Sequence, residues 1–125
     1  MLGSSTITAL VGTAKPEAAK AFYGETLGLK FVAEDQFAAI FEGKNLKIRV
    51  SKTPVVVPAP YAILSFDVAN MEEAVDALAA KGVTFARFGF LPQDAKGIWS
   101  APDGTKVAWF HDPDLNLLSL VQHAS

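Results

Sequence analysis

Few side chains in this sequence of 125 residues can do chemistry, and their types narrow what that chemistry is. There is no cysteine, so disulfides, thiolate metal sites and a cysteine nucleophile are excluded. Only two histidines exist, His111 and His123, so one chain cannot build a three-histidine site. His111 precedes Asp112, a pairing suited to proton transfer. No serine is placed to complete a triad, however, and Asp112 reads as part of a turn. His123 lies two residues from the end and is expected to fray.

Arg49 stands out. If Ile48 and Val50 face a helix-side core, alternation along a strand sends Arg49 to the opposite face. A guanidinium there would clamp the carboxylate or phosphate of a ligand. The plainer alternative is an edge-strand arginine paired with a surface acid. Thr8, Ser65, Asp67 and Ser119 alternate away from apolar neighbours in the same way. Their polar groups would fix a ligand, or stay solvated or pair across strands; for Asp67, near a strand end, solvation is expected. Trp99, Trp109, Phe37, Phe88, Phe90 and Tyr61 form a large aromatic set. Such rings line pockets for flat organic ligands, and also fill cores and dimer interfaces. Trp99 is the preferred pocket aromatic, because it follows a long insertion. Residues 88–92 read as a lid over the pocket or as a packed loop.

The positioning elements follow from periodicity and punctuation. Residues 7–12 read as a buried strand. Pro16 opens a helix over 16–26, with Ala18 and Phe22, and likewise Ala19 and Tyr23, four apart so that small and aromatic residues share one side, and with Gly28 at its exit. Strands are expected over 29–32, 37–42 and 46–51, the last two joined by a turn at 43–45. Pro54, Pro58 and Pro60 interrupt any ladder and mark a linker. The pattern then restarts, with a strand over 61–68. A helix follows, capped by Asn70 with Glu73 three residues on and closed at Lys81-Gly82. Four further strand candidates cover 83–88, 97–100, 106–111 and 116–121. Asp103-Gly104 marks a hairpin. The two halves repeat at an offset of about 55 residues, growing to about 70 after an insertion at 89–103.

Composition excludes more than it identifies. Eleven basic and thirteen acidic residues give a net charge of −2, which argues against a nucleic-acid binder with a broad basic face. No apolar run approaches the roughly 20 residues of a membrane helix, and residues 1–6 lack the pattern of a secretion signal. A cytoplasmic protein is expected.

With its order of elements the sequence resembles the vicinal oxygen chelate superfamily of glyoxalases, bleomycin-resistance proteins and extradiol dioxygenases. The segments that carry the likeness are Ala18-Ala19-Lys20-Ala21-Phe22-Tyr23 and Leu27-Gly28-Leu29 in the first half. In the second half they are Ala80-Lys81-Gly82-Val83 and Asp112-Pro113-Asp114-Leu115-Asn116. Leu115 stands where the family motif carries glycine, a substitution that strains a left-handed turn. The resemblance implies an α+β fold of two βαβββ modules forming a curved mixed sheet around a cleft. Module one would span 5–53, the linker 54–60 and module two 61–123 of a single domain.

The resemblance also says where metal ligands stand in metal-dependent members: on the first and last strand of each half. Those positions fall on Thr8, Arg49 (or Lys47), Ile63 and Ser119. None is a good ligand for a hard or borderline cation. No metal, no cofactor and no catalytic residue are therefore expected. The expected function is binding of a small anionic or aromatic molecule by Arg49, Thr8, Ile63, Ser65, Ser119 and Trp99, in a homodimer. The alternative is an enzyme of the same superfamily: a lyase, isomerase or dioxygenase, with Arg49 steadying an enolate-like anion and Asp67 as base. A third expectation is a dimeric interaction module with a vestigial pocket.

Overall fold

A computed structural model describes residues 1–124 of the 125. The chain divides between Val57 and Pro58 into two compact units, and both repeat one plan. In the first unit, β1 (Thr8–Thr13) leads to α1 (Pro16–Ala21), then β2 (Lys30–Glu34), β3 (Ala38–Glu42) and β4 (Lys47–Lys52). The sheet order is β1-β4-β3-β2, with β1 parallel to β4 and the other pairs antiparallel. In the second unit, β5 (Leu64–Asp67) and α2 (Met71–Ala80) precede β6 (Trp99–Ser100), β7 (Lys106–His111) and β8 (Leu117–Gln122). Its order, β5-β8-β7-β6, repeats the first, again with one parallel pair. This is the α+β architecture of two four-stranded mixed sheets that the repeat implies.

Each sheet buries one face under its helix. Val11, Ile48, Val50, Ala39 and Phe41 alternate inward onto Ala19 and Tyr23, all of them buried. The second unit does the same with Ala108, Phe110, Leu118 and Leu120 against Met71 and Val75. Helix α2 ends as its sequence implies. Asn70 accepts from the Glu73 amide at 3.1 Å, and Gly82 takes a left-handed φ of 93° beyond the last turn.

Three expectations need correction. The helix over 16–26 is α-helical only to Ala21; Phe22–Thr26 forms a π-turn, closed by the Leu27 amide on the Phe22 carbonyl. That turn sets Gly24 so close to Phe41 that a Cβ would stand 3.3 Å from the ring. Residues 83–88 make no strand. They offer a single bridge, Phe85 to Phe110, because other groups take their backbone bonds, as described below. The strand expected over 61–68 is confined to Leu64–Asp67.

The strain foreseen at Leu115 is present and tolerated. Leu115 adopts φ 69°, the left-handed conformation that glycine would enter freely. Its side chain is largely exposed, so little packing offsets that strain. Leu115→Gly is expected to stabilise the protein by about 0.5–1 kcal/mol, after the larger backbone entropy of unfolded glycine is subtracted. Thermal unfolding checks this, with the midpoint rising by about 2–6 °C. A lower midpoint would show that the leucine contributes packing that outweighs its strain.

Candidate functional site

The face of each sheet turned away from its helix carries the polar and aromatic side chains singled out above. In the first unit, strand register places Arg49 of β4 between Leu10 of β1 and Ile40 of β3. Thr8 lies in the adjacent row, opposite Lys47 rather than Arg49. Ile48 and Val50 are buried against the helix, so Arg49 does take the opposite face. It is half-buried, while Leu10 beside it is 68% exposed. Strand β4 is interior to the sheet, which corrects the alternative of an edge-strand arginine.

No hydrogen bond or ion pair joins the Arg49 guanidinium to another described residue. The acids at the end of β2, two strands away, are already engaged. Glu34 bridges Lys52 at 2.9 Å and Lys20 at 3.0 Å, and these bonds, that to Lys52 foremost, hold its carboxyl below the usual range. Asp35 accepts the Phe37 and Ala38 amides at 2.7 and 2.9 Å. Those two bonds are the main reason its carboxyl sits low, with the Arg49 and Lys52 charges adding less. Asp35 therefore feels Arg49 without being bonded to it.

In the second unit, Ser119 of β8 lies between Ser65 of β5 and Trp109 of β7. Ser119 is buried and Ser65 exposed. The next row runs Asp67, Val121, Val107, Trp99. Trp99 and Trp109 have ring centroids 6.4 Å apart, and Phe88 meets Trp109 edge-on at 5.3 Å. Phe90 continues the set 5.9 Å from Phe88. Ile63 precedes β5 and donates its amide to the Leu117 carbonyl, which puts it one row from Ser119. So Ile63, Ser65, Ser119 and Trp99 share one face, and Thr8 and Arg49 share another, each within its own unit.

Both Asp112 oxygens serve their own turn, taking the Asp114 and Asn116 amides and the Asn116 side chain, so the turn reading stands. His123, which follows β8, places its Nε2 3.1 Å from Asp67 Oδ1. Asp67 is largely exposed, as expected near a strand end, and so is the His123 side chain that meets it.

Across residues 7–120 the sequence matches the family model described as the Glyoxalase/Bleomycin resistance protein/Dioxygenase superfamily. The chain belongs to that superfamily. Solved structures agree in fold. A member of the superfamily from Sphaerobacter thermophilus superposes with a TM-score of 0.76 at 23% identity, covering 98% of this chain and 100% of its own. A glyoxalase family protein from Bacillus anthracis gives 0.74 at 21%, covering 96% and 95%. A lactoylglutathione lyase from Agrobacterium tumefaciens gives 0.73 at 14%, covering 95% and 93%. No curated protein matches the chain.

Metal-dependent superfamily chemistry needs a donor set, and the residues here do not fit one. The positions at which the resemblance leads one to expect ligands hold a hydroxyl (Thr8), a guanidinium (Arg49) or an ammonium (Lys47), an aliphatic chain (Ile63) and a hydroxyl (Ser119). Their partners in register, Lys47, Leu10, Leu117 and Ser65, supply no imidazole or carboxylate. Among the described residues, no three His, Asp or Glu side chains form a group that could hold a metal ion. No described helix is long and apolar enough to cross a membrane.

The residues that sequence reasoning missed are Leu10 and Ile40, the apolar flanks of Arg49. Their signal was available: both share the strand parity of Arg49. Trp109 was seen but ranked below Trp99, because register was needed to place it beside Ser119.

Proposed function

We propose that this superfamily member binds a small organic anion without a resident metal ion, anchored by Arg49. One observation carries the reading: a part-buried arginine on an interior strand, its guanidinium without a hydrogen bond or ion pair among the described residues and with apolar Leu10 and Ile40 on either side. An arginine in that position makes no side-chain bond to the described chain, so its fork is available to an anion. A carboxylate with an apolar body matches both the fork and its flanks. Thr8 adds a hydroxyl near the same face. On the second unit, the hydroxyls of Ser65 and Ser119 beside Trp109 and Trp99 suit a ring bearing a hydrogen-bonding group, with Ile63 as an apolar edge. A homodimeric, cytoplasmic protein accords with this reading.

A catalytic reading is favoured by the Asp67–His123 contact, which puts a base and a proton carrier together on one face. Native mass spectrometry with elemental analysis on the same sample separates the two. The expected result is a retained organic acid of constant mass and no stoichiometric transition metal. A bound mass that changes on incubation would move the enzyme reading to first place. One metal per chain, or no affinity for any organic acid in a calorimetric screen, would overturn the proposal.

A further inference from the structure

In place of the expected strand over 83–88, one side-chain amide does the work of a missing neighbour. Gln93 Nε2 donates to the Ala86 carbonyl at 2.9 Å and to the Gly97 carbonyl at 2.8 Å. Its Oε1 accepts the Phe88 amide at 2.8 Å. Three of the four bonds a primary amide can make are therefore spent on three separate points of backbone. Arg87 ties the other side of the same loop, donating through Nη2 to the Asp94 and Ala95 carbonyls at 2.8 and 2.7 Å. The Asp94 carboxylate takes the Lys96 and Ile98 amides, both at 2.9 Å. Gly97 closes the fold-back at φ 89°, so near Phe85 that a Cβ would stand 3.1 Å from it.

This network ends on the aromatic face. The Phe88 amide is held by Gln93, the Ala86 amide is held by the Trp109 carbonyl, and the Phe88 ring meets Trp109 edge-on. Phe90, two residues on, is 82% exposed. Within residues 88–92 Gln93 holds the Phe88 amide, so any movement of Phe88 would have to break that bond first.

We infer that Gln93 is a positioning residue: its amide fixes Phe88 against Trp109, so that the aromatic face of the second unit is formed before any ligand arrives. This rests on the reading that the open sheet face contacts ligand. It adds the residue that sets the geometry there, and it gives the binding mode, a preformed wall for a planar ring rather than closure of a loop. Preorganisation of this kind acts by removing the ordering cost of one or two side chains from binding.

The test compares Gln93→Ala and Gln93→Glu with the parent protein. Glutamate keeps an acceptor for the Phe88 amide but cannot donate to Ala86 or Gly97 when ionised. Two readouts need no ligand: the near-ultraviolet circular dichroism of the tryptophans, and quenching of their emission by acrylamide. Both variants are expected to lose near-ultraviolet signal and quench more readily, alanine more than glutamate, with far-ultraviolet spectra unchanged. Affinity for a planar probe, naphthalene-2-carboxylate, is expected to fall about tenfold in Gln93→Ala. Unchanged optical signals in Gln93→Ala would overturn the positioning role. Altered signals with unchanged probe affinity would show that Gln93 orders a wall that no ring uses, and would sink the binding half of the inference. A parent protein that takes up organic acids but ignores the planar probe would likewise remove that half, while leaving the Arg49 reading standing.

Discussion

Replacing Arg49 by alanine is expected to weaken binding of an organic carboxylate roughly 10- to 100-fold while leaving the protein as stable as before. The first half follows from the interaction lost. A hydrogen bond to a charged group contributes about 1.5–3 kcal/mol, and 1.4 kcal/mol is a factor of ten in affinity. The second half follows from the structure around the residue. Arg49 gives up no ion pair or hydrogen bond to the described chain, so truncation strands no buried partner. Asp35 keeps its two amide donors, the larger part of what holds its charge, and Glu34 keeps both lysines. Calorimetric titration and thermal unfolding on the same preparations check both halves, with the stability change expected within about 0.5 kcal/mol. Arg49→Lys separates charge from shape. A lysine retains the charge but not the planar two-pronged donor, so an affinity between parent and alanine indicates bidentate recognition. A stability loss above about 1 kcal/mol for Arg49→Ala, with affinity intact, would make Arg49 a structural residue and remove the proposed function.

How much of this was legible beforehand depends on the range of the forces involved. The repeat, the helix caps and the orientation of Arg49 follow from local rules, and local rules are written in the sequence. Asn70, Gly82 and the alternation of Ile48, Arg49 and Val50 are cases in point. What escaped was decided at a distance. Residues 83–88 have strand-like composition, yet they share only one bridge with β7, and an amide five and seven residues further on takes the Phe88 amide and the Ala86 carbonyl. The π-turn at Phe22–Thr26 is invisible to a helical period, and it brings Gly24 close to Phe41, a residue of another element. Strand register was left open between two residues: motif spacing named Arg49, with Lys47 as the slipped alternative, and the parallel ladder sets Lys47 opposite Thr8 and Arg49 opposite Leu10. His123 meets Asp67 through a contact 56 residues apart, which no local rule anticipates.

The second large effect is expected at Asp112, in the turn that joins β7 to β8. Asp112 and Asn116 are buried, and one carboxylate organises the whole turn. Oδ1 takes the Asp114 and Asn116 amides at 2.9 Å each, and Oδ2 takes the Asn116 side-chain amide at 2.8 Å. Alanine here leaves three donors without that acceptor. At about 1–3 kcal/mol for each stranded group, and with losses in one network adding incompletely, Asp112→Ala should cost about 3–4 kcal/mol. That is a large share of the stability of a domain this size. Asp112→Asn should cost less, about 1–2 kcal/mol, because one oxygen remains for the backbone amides while its new NH2 opposes that of Asn116. Urea unfolding of the three proteins measures the difference; a loss below 1 kcal/mol for alanine would mean that water replaces the carboxylate. The consequence reaches the open face. This turn sets the register that places Ser119 opposite Trp109. A slip of one residue would send Ser119 to the helix side and Leu118 or Leu120 into its place. The aspartate that looked, beside His111, like half of a catalytic pair therefore serves the site indirectly, by fixing which side chains of β8 face a ligand.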